Sequence, residues 1–357
     1  MNKIYDDFIS SLPLEGKDQY TWSIRLMNIT ENSKTYFFQG ANKGEKNDMI
    51  LVKQININKD LFKDKEYIIH ILRGIIFLFS LINYYYFPKK ILGLISKDEE
   101  YLYLIIKENN VTLKSLIASK NFNYLENKKL IKWIIYQIVF GLYILHSNNI
   151  IHHDIKPSNI VIDENGGIEI IDFDSAIFKN EHSYRFTFIY SSPEILIGNR
   201  IIDEKIDMWS LGLVLLELFL KESPFLSNKN IKNSEEQLYF ILEKLYGAKK
   251  EQYPINDLID ILNGNNNKNI KFNIEQKYLE KIQNKDAIFL LNNLLNFDPK
   301  ERYTAKQVLE SDYLKEFKGL DSFDIKPIKF IIDNDEISKK DLEKKIFIEL
   351  IKRNIFK

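Results

Sequence analysis

The chain has 357 residues, enough for two lobes or domains with a substantial core. Hydrophobic residues make up 45% and charged residues 28%. Lys+Arg and Asp+Glu both number 50, so the net charge is zero and neither nucleic acid nor a membrane is favoured as a partner. With no cysteine, the sequence excludes disulfides, cysteine nucleophiles and thiolate metal sites.

Residues 1–19 form an N-terminal extension. It begins "MNKIYDDFISS" and has no apolar core of signal-peptide length, so an intracellular protein, cytoplasmic or nuclear, is expected. From 20 to 106 the pattern reads mainly as strands. "TYFFQG", "MILVKQI", "KKILGLI" and "YLYLIIK" are short, rich in β-branched and aromatic residues, and bounded by polar turns. One helix interrupts them, from about Asp60 to Leu72. The apolar run Tyr67 to Phe87 approaches membrane-span length, but His70, Arg73 and Asn83 interrupt it. The expectation there is a buried helix followed by a strand.

A junction at 107–109 leads into a helical region. Ile131, Ile135, Ile138, Leu142 and Leu145 recur at steps of four and three, the stripe of an amphipathic helix. "NIVIDENGGIEIID" predicts a β-hairpin with Asn-Gly-Gly in its turn. "IDMWSLGLVLLELFL" is apolar nearly all round, which predicts a buried central helix. "NGNNNKN", 263 to 269, is a polar loop, and no internal repeat is present.

Around the hairpin, residues 150 to 176 hold Asp154, Lys156, Asn159 and Asp172. Phosphoryl transfer needs a carboxylate to orient the attacking hydroxyl, oxygen ligands for Mg²⁺ and a cation to steady the phosphates. Asp154 suits the first role and Lys156 the last. Asn159 and Asp172 suit the metal, Mg²⁺ or Mn²⁺. Any one of them is a common turn residue; their order, spacing and hairpin context agree jointly.

At these residues the sequence resembles the eukaryotic protein kinases. "HHDIKPSN" looks like the catalytic loop H-R-D-x-K-x-x-N, "DFD" like the metal-binding D-F-G, "SSPE" like A-P-E, and "ILVK" like V-A-I-K. "DMWSLG" and "FDPKERYTAKQVL" match later landmarks and imply a buried ion pair between Glu194 and Arg302. The segment "SNKNIKNSEEQLYFILEKLYGAKKEQYP", the lip "HSYRFTFIYSSPE" and the tail after 315 resemble the cyclin-dependent and MAP kinase group, most of all a divergent MAP kinase. The resemblance implies an α+β, two-lobed protein kinase fold over 20–314. A small β-rich N-lobe (20–106) with one main helix, a hinge (107–109) and a larger α-helical C-lobe (110–314) precede a C-terminal extension (315–357). It also implies ATP as phosphate donor and protein substrates phosphorylated on Ser or Thr, with Thr187 beside the catalytic Asp154 and Lys156. Lys53, Glu66, Ile29, Phe37, Leu51, Ile106, Lys107, Asn109 and Val161 would hold the nucleotide. A monomer is expected. Basic docking peptides would bind Asp321 and Asp324, which otherwise read as solvated turn carboxylates.

Several positions depart from the family. The phosphate-covering stretch "TENSKT", 30 to 35, has no glycine. Phe37 and Leu51 are larger than usual for the adenine roof, Asp174 replaces the glycine of D-F-G, and Glu66 lies unusually close to Lys53 for the family's helix glutamate. His182 stands at the lip threonine, His153 at the arginine of H-R-D, and Phe188 and Ser191 at two further arginines. The donor and receptors of a switching phosphate are therefore absent together, although Tyr184 remains. Two readings follow. One is an active Ser/Thr kinase with an unusual nucleotide pocket, which keeps Lys53, Asp154, Lys156, Asn159, Asp172 and Thr187. The alternative is a pseudokinase, a binding or scaffold module of the same fold.

Overall fold

The computed structural model describes 20–29, 33–42, 48–56, 65–82, 84–88, 91–96, 101–107, 111–120, 122, 127–163, 165–181, 188–198, 202–222, 231, 233–263, 272–320, 325 and 327–328. The chain divides into two compact units, 1–110 with 329–357, and 111–328.

The first unit is built on an antiparallel sheet. Its strands are β1 (Tyr20–Ile29), β2 (Ser33–Asn42), β3 (Asp48–Asn56), β4 (Ile91–Ser96) and β5 (Tyr101–Lys107), in the order β1-β2-β3-β5-β4. Phe37 pairs with Leu51 and Leu51 with Ile106, so three expected nucleotide-contact positions occupy one row across three strands. Two residues along β3, Lys53 sits in the row Thr35–Lys53–Leu104.

Helix α1 runs Lys65–Leu81, which corrects the expected 60–72. The run Tyr67 to Phe87 is one helix followed by turns, not a helix and a strand, and β4 begins only at Ile91. The burial pattern explains it. Phe77, Leu78, Phe79 and Leu81 are each 6% exposed or less, so consecutive residues are buried, without the alternation of a half-buried strand. Tyr84 N–H donates to Leu81 O in the closing turn, and Pro88 follows.

The second unit is mostly helical. After β6 (Val111–Thr112) come α2 (Leu113–Ala118), capped by the Thr112 hydroxyl, and α3 (Lys128–Ser147). The five residues of the expected stripe on α3 are all fully buried. By length and composition alone α3 could cross a membrane, but its apolar window is 67% buried within the protein, as in a core helix. Next come β7 (Ile150–Ile151), β8 (Ile160–Ile162), β9 (Ile168–Ile170), β10 (Ile177–Phe178), α4 (Pro193–Leu196) and α5 (Lys205–Leu220). Strands β6, β8 and β9 form one small sheet, and β7 and β10 another. Then follow α6 (Ser234–Tyr246), α7 (Ile255–Leu262), α8 (Gln276–Ile282), α9 (Lys285–Leu294) and α10 (Ala305–Leu309).

Helix α5 is the axis of this core. Leu211, Leu213, Leu215, Leu216 and Leu218 are fully buried on it, each contributing about 1.5–3 kcal/mol by leaving water. At Gly212 a Cβ would lie 2.7 Å from Leu295 Cδ2 and 3.1 Å from Leu294 Cβ, so the end of α9 touches the α5 backbone there. Asp207 and Glu217 are the charged residues buried in this helix.

Candidate functional site

The site grows from the β8–β9 hairpin. Asp163 starts its turn, with Oδ1 accepting from Asn165 N and Gly167 N at 2.8 Å each, and Gly166 takes φ 78, which glycine adopts without strain. Gln137, fully buried on α3, grips the turn: its Nε2 donates to Gly166 O (2.9 Å) and its Oε1 accepts from Ile168 N (3.1 Å). At the open end Ile160 pairs with Ile170, and Ile171 N then donates to Asn159 O (2.9 Å). The ladder therefore places Asn159 beside Ile171, one residue before Asp172, and the two expected metal ligands share one hairpin end.

The loop before the hairpin adds the rest. Lys156 Nζ lies 2.6 Å from Asp154 Oδ2, and Asn159 Nδ2 donates to both Asp154 Oδ2 and Asp154 O at 2.9 Å. Because Asn159 gives its nitrogen to Asp154, its Oδ1 is the atom offered to a cation. His152 ties loop to hairpin. Its Nδ1 accepts from Asp154 N (3.3 Å), which leaves Nε2–H to donate to Ile171 O (3.1 Å). Asp172 holds φ 69 and His153 φ 64, left-handed values that concentrate here.

Asp207 anchors the loop from below. Its Oδ2 accepts from His152 N (2.8 Å) and His146 Nε2 (2.9 Å), and its Oδ1 from His153 N (2.8 Å). Burial alone would raise its carboxyl, but the hydrogen bond and charge of His146, with those of His152, outweigh burial and hold it below the usual carboxylate range. Sequence reasoning assigned Asp207 no role. The available signal was a carboxylate in the first turn of a helix otherwise apolar all round.

The segment 188–194 is held just as firmly. The expected pair is present: Arg302 forks onto Glu194 at 2.7 and 3.0 Å, both side chains buried, with Trp209 under the guanidinium at 5.1 Å. Tyr190 Oη donates to Glu217 (3.0 Å), and Ser210 Oγ to Tyr190 O (2.9 Å). His153 is buried, and burial pushes its ring toward the neutral form against the pull of Asp207 and Asp154. Ser191 is buried as well.

Of the other expected site residues, Val161 is buried on β8, and Lys53 and Ile106 are partly buried on β3 and β5 of the first unit. For Ile29, Phe37, Leu51, Glu66 and Lys107 the backbone position is given, with Glu66 in the first turn of α1. Asn109, Thr187, Asp321, Asp324 and the lip positions His182 and Tyr184 lie outside the described residues, as do residues 264–269 of the polar loop.

A sparse all-oxygen set of one carboxylate and one amide fits Mg²⁺, which keeps its waters and borrows phosphate oxygens instead of demanding a protein cage. No cluster of three or more His, Asp or Glu able to hold a metal occurs among the described residues.

The family model described as the protein kinase domain matches residues 39–314. The mitogen-activated protein kinase hog1 of Trichoderma harzianum is 30% identical over 226 residues, 61% of this chain and 60% of that protein. HOG1 of Chaetomium globosum is 31% identical over 223 residues, 60% of this chain and 58% of its own length. The match thus spans about 60% of the length of these curated relatives. The solved MAP kinase LmaMPK10 of Leishmania major superposes with a TM-score of 0.69 over 99% of this chain and 98% of its own, at 19% identity, a likeness of fold.

Proposed function

This chain belongs to the protein kinase family, and from that premise we propose that it transfers the γ-phosphoryl group of ATP to serine or threonine hydroxyls of protein substrates. One observation carries the reading: Asp154, Lys156 and Asn159 form a single hydrogen-bonded cluster at the hairpin end that continues into Asp172. In this role Asp154 orients the substrate hydroxyl and accepts its proton, while Lys156 offsets the negative charge that builds up in transfer. Asn159 and Asp172 would hold Mg²⁺, which would supply neutralisation of the phosphate charge. On the first unit, the residues that serve the nucleotide in this reading are Lys53, toward phosphate with Glu66 as its partner, and Ile29, Phe37, Leu51, Ile106, Lys107 and Asn109; on the second unit it is Val161. Thr187 supports Asp154 and Lys156.

The lip works without dual phosphorylation. His182 cannot take the phosphate of a threonine, and the buried, neutral His153 with Ser191 offers no cation to receive one. Asp321 and Asp324 are the proposed docking pair for basic substrate segments.

Asp154→Asn tests the assignment. It should cut phosphate incorporation about 10²–10⁴-fold while ATP·Mg²⁺ binding by calorimetry stays nearly unchanged. Unchanged incorporation would remove Asp154 from its role. A wild-type chain that binds no ATP·Mg²⁺ would be a pseudokinase.

A further inference from the structure

A cavity of about 550 Å³ opens on the second unit and shares no residue with the cluster around Asp154. Its size falls within the roughly 300–1,000 Å³ of ordinary ligand clefts. The apolar lining is Ile261 on α7, Phe272, Phe289 on α9, and Phe297. Phe272 is fixed in place, with its ring 4.9 Å from Phe297 and 5.1 Å from both Tyr246 and Tyr253. Phe289 is 59% exposed, although Leu290, Leu291 and Leu294 of the same helix are fully buried.

Helix α9 and the turn after it supply most of the polar lining. Asn292 and Asn293 donate their side-chain N–H to Ile288 O (3.0 Å) and Phe289 O (2.7 Å), one turn back, so each has its Oδ1 left to offer. Asn296 is the reverse: its Oδ1 accepts from Asp298 N (3.1 Å), which leaves Nδ2–H to donate. Asp298 and Glu301 add two carboxylates, and no lysine or arginine lines the cavity. Lys205 feels the charge of Asp298, but its Nζ is given to Arg302 O. This edge is set before anything binds, because Asn293 O accepts from Tyr303 N and Asn296 O from Arg302 Nε, each at 3.1 Å.

We propose that this cavity docks a segment of a partner protein that carries an arginine beside an apolar side chain. The carboxylates and the two asparagine oxygens are acceptors only, and a guanidinium brings five donors in one plane. The same plane stacks on an exposed aromatic face such as Phe289. Ile261, Phe272 and Phe297 receive the apolar neighbour. Asn296 and the exposed Asn273 keep N–H groups for the carbonyls of the segment's main chain. An acidic or phosphorylated segment would meet two carboxylates of like charge. A purely hydrocarbon ligand would cover amides and carboxylates without pairing them.

Docking here does not depend on phosphoryl transfer, and it uses neither Asp321 nor Asp324. Fluorescence anisotropy on the full chain tests it, with a labelled peptide carrying Leu-Arg-Leu and a matched one carrying Leu-Glu-Leu. The first should bind and the second should not, and raising salt from about 0.05 to 0.5 M should weaken binding. Asp298→Asn with Glu301→Gln should weaken it about three- to tenfold. Phe289→Ala should weaken it several-fold while Tm barely moves, because that ring is already largely in water. Asp321→Lys with Asp324→Lys should leave it unchanged. Equal binding of the two peptides, or an affinity untouched by the Asp298 and Glu301 changes, would overturn the proposal. So would binding lost only with Asp321 and Asp324, which would place the peptide at that pair instead. Binding that emerges only after Lys268→Ala with Lys271→Ala would give the cavity to the chain's own 264–271 and end the case for a partner.

Discussion

Protonating His153 means charging a buried ring, and the fold resists it. Its folded pKa lies below the ordinary 6.5, so between those two values the unfolded chain binds more protons than the folded one. Stability therefore rises with pH through that window and is lost as pH falls below about 6.5. Denaturant midpoints across about pH 5–8 should show this slope. His153→Asn should flatten it, because asparagine tolerates the left-handed backbone and does not titrate; an unchanged slope would assign the effect elsewhere. At this scale the sequence was partly legible. Asp154, Lys156 and Asn159 could be read because they fall within one short loop, and chain proximity alone keeps them together. Asp207 could not, because two of its three partners are the backbone N–H groups of His152 and His153, at a separation of 54–55 residues, and the third, His146, lies farther off still in the sequence. A backbone partner leaves no residue type to recognise.

Helix and strand divided according to how burial was distributed. The hairpin and α3 were legible because turn chemistry and a regular stripe each allow one answer. Helix α1 was misread because its second half carries Ile75, Ile76, Phe77, Leu78 and Phe79 in succession, a composition that serves a buried strand and a buried helix equally. Gly212 on α5 shows a related conflict between local and tertiary preference. Ala at this position would gain about 1 kcal/mol of helix propensity. Its Cβ, however, would sit 2.8 Å from Leu295 Cγ and 3.1 Å from Leu294 Cβ, and the second of these is bonded directly to the backbone, where no rotamer change can move it. Overpacking of this kind costs about 1–3 kcal/mol. Gly212→Ala should therefore lower Tm despite the better helix former. A raised Tm would mean that α9 can retreat from α5 at little cost.

For the whole chain, equal counts of 50 basic and 50 acidic residues leave no net charge near neutrality. Colloidal repulsion between molecules is then weakest near pH 7. Static light scattering at low salt should give its lowest second virial coefficient there and higher values at pH on either side. A minimum displaced by more than about one pH unit would show that exposed patches govern self-association, not net charge. The division into a strand-rich and a helical unit was legible from composition along the chain. The docking pair Asp321 and Asp324 and the lip positions 182–187 were read from family resemblance and lie outside the described residues, so peptide binding and phosphate mapping must address them.

The Asp207 carboxylate under the loop that carries His152 and His153 also sets a clock. Amides in irregular loops commonly trade hydrogen for deuterium among the fastest in a protein. Those of His152 and His153 are instead bonded to Asp207, fully buried on α5. Freeing either amide means withdrawing that carboxylate from its bonds, so their exchange should keep pace with the amides of α5. The exposed Asn165 amide in the hairpin turn should exchange much sooner. Deuterium uptake at His152 and His153 as fast as at Asn165 would show the loop opening on its own. Slow uptake would mean that the loop is as long-lived as the core, and that opening motions belong to other parts of the chain.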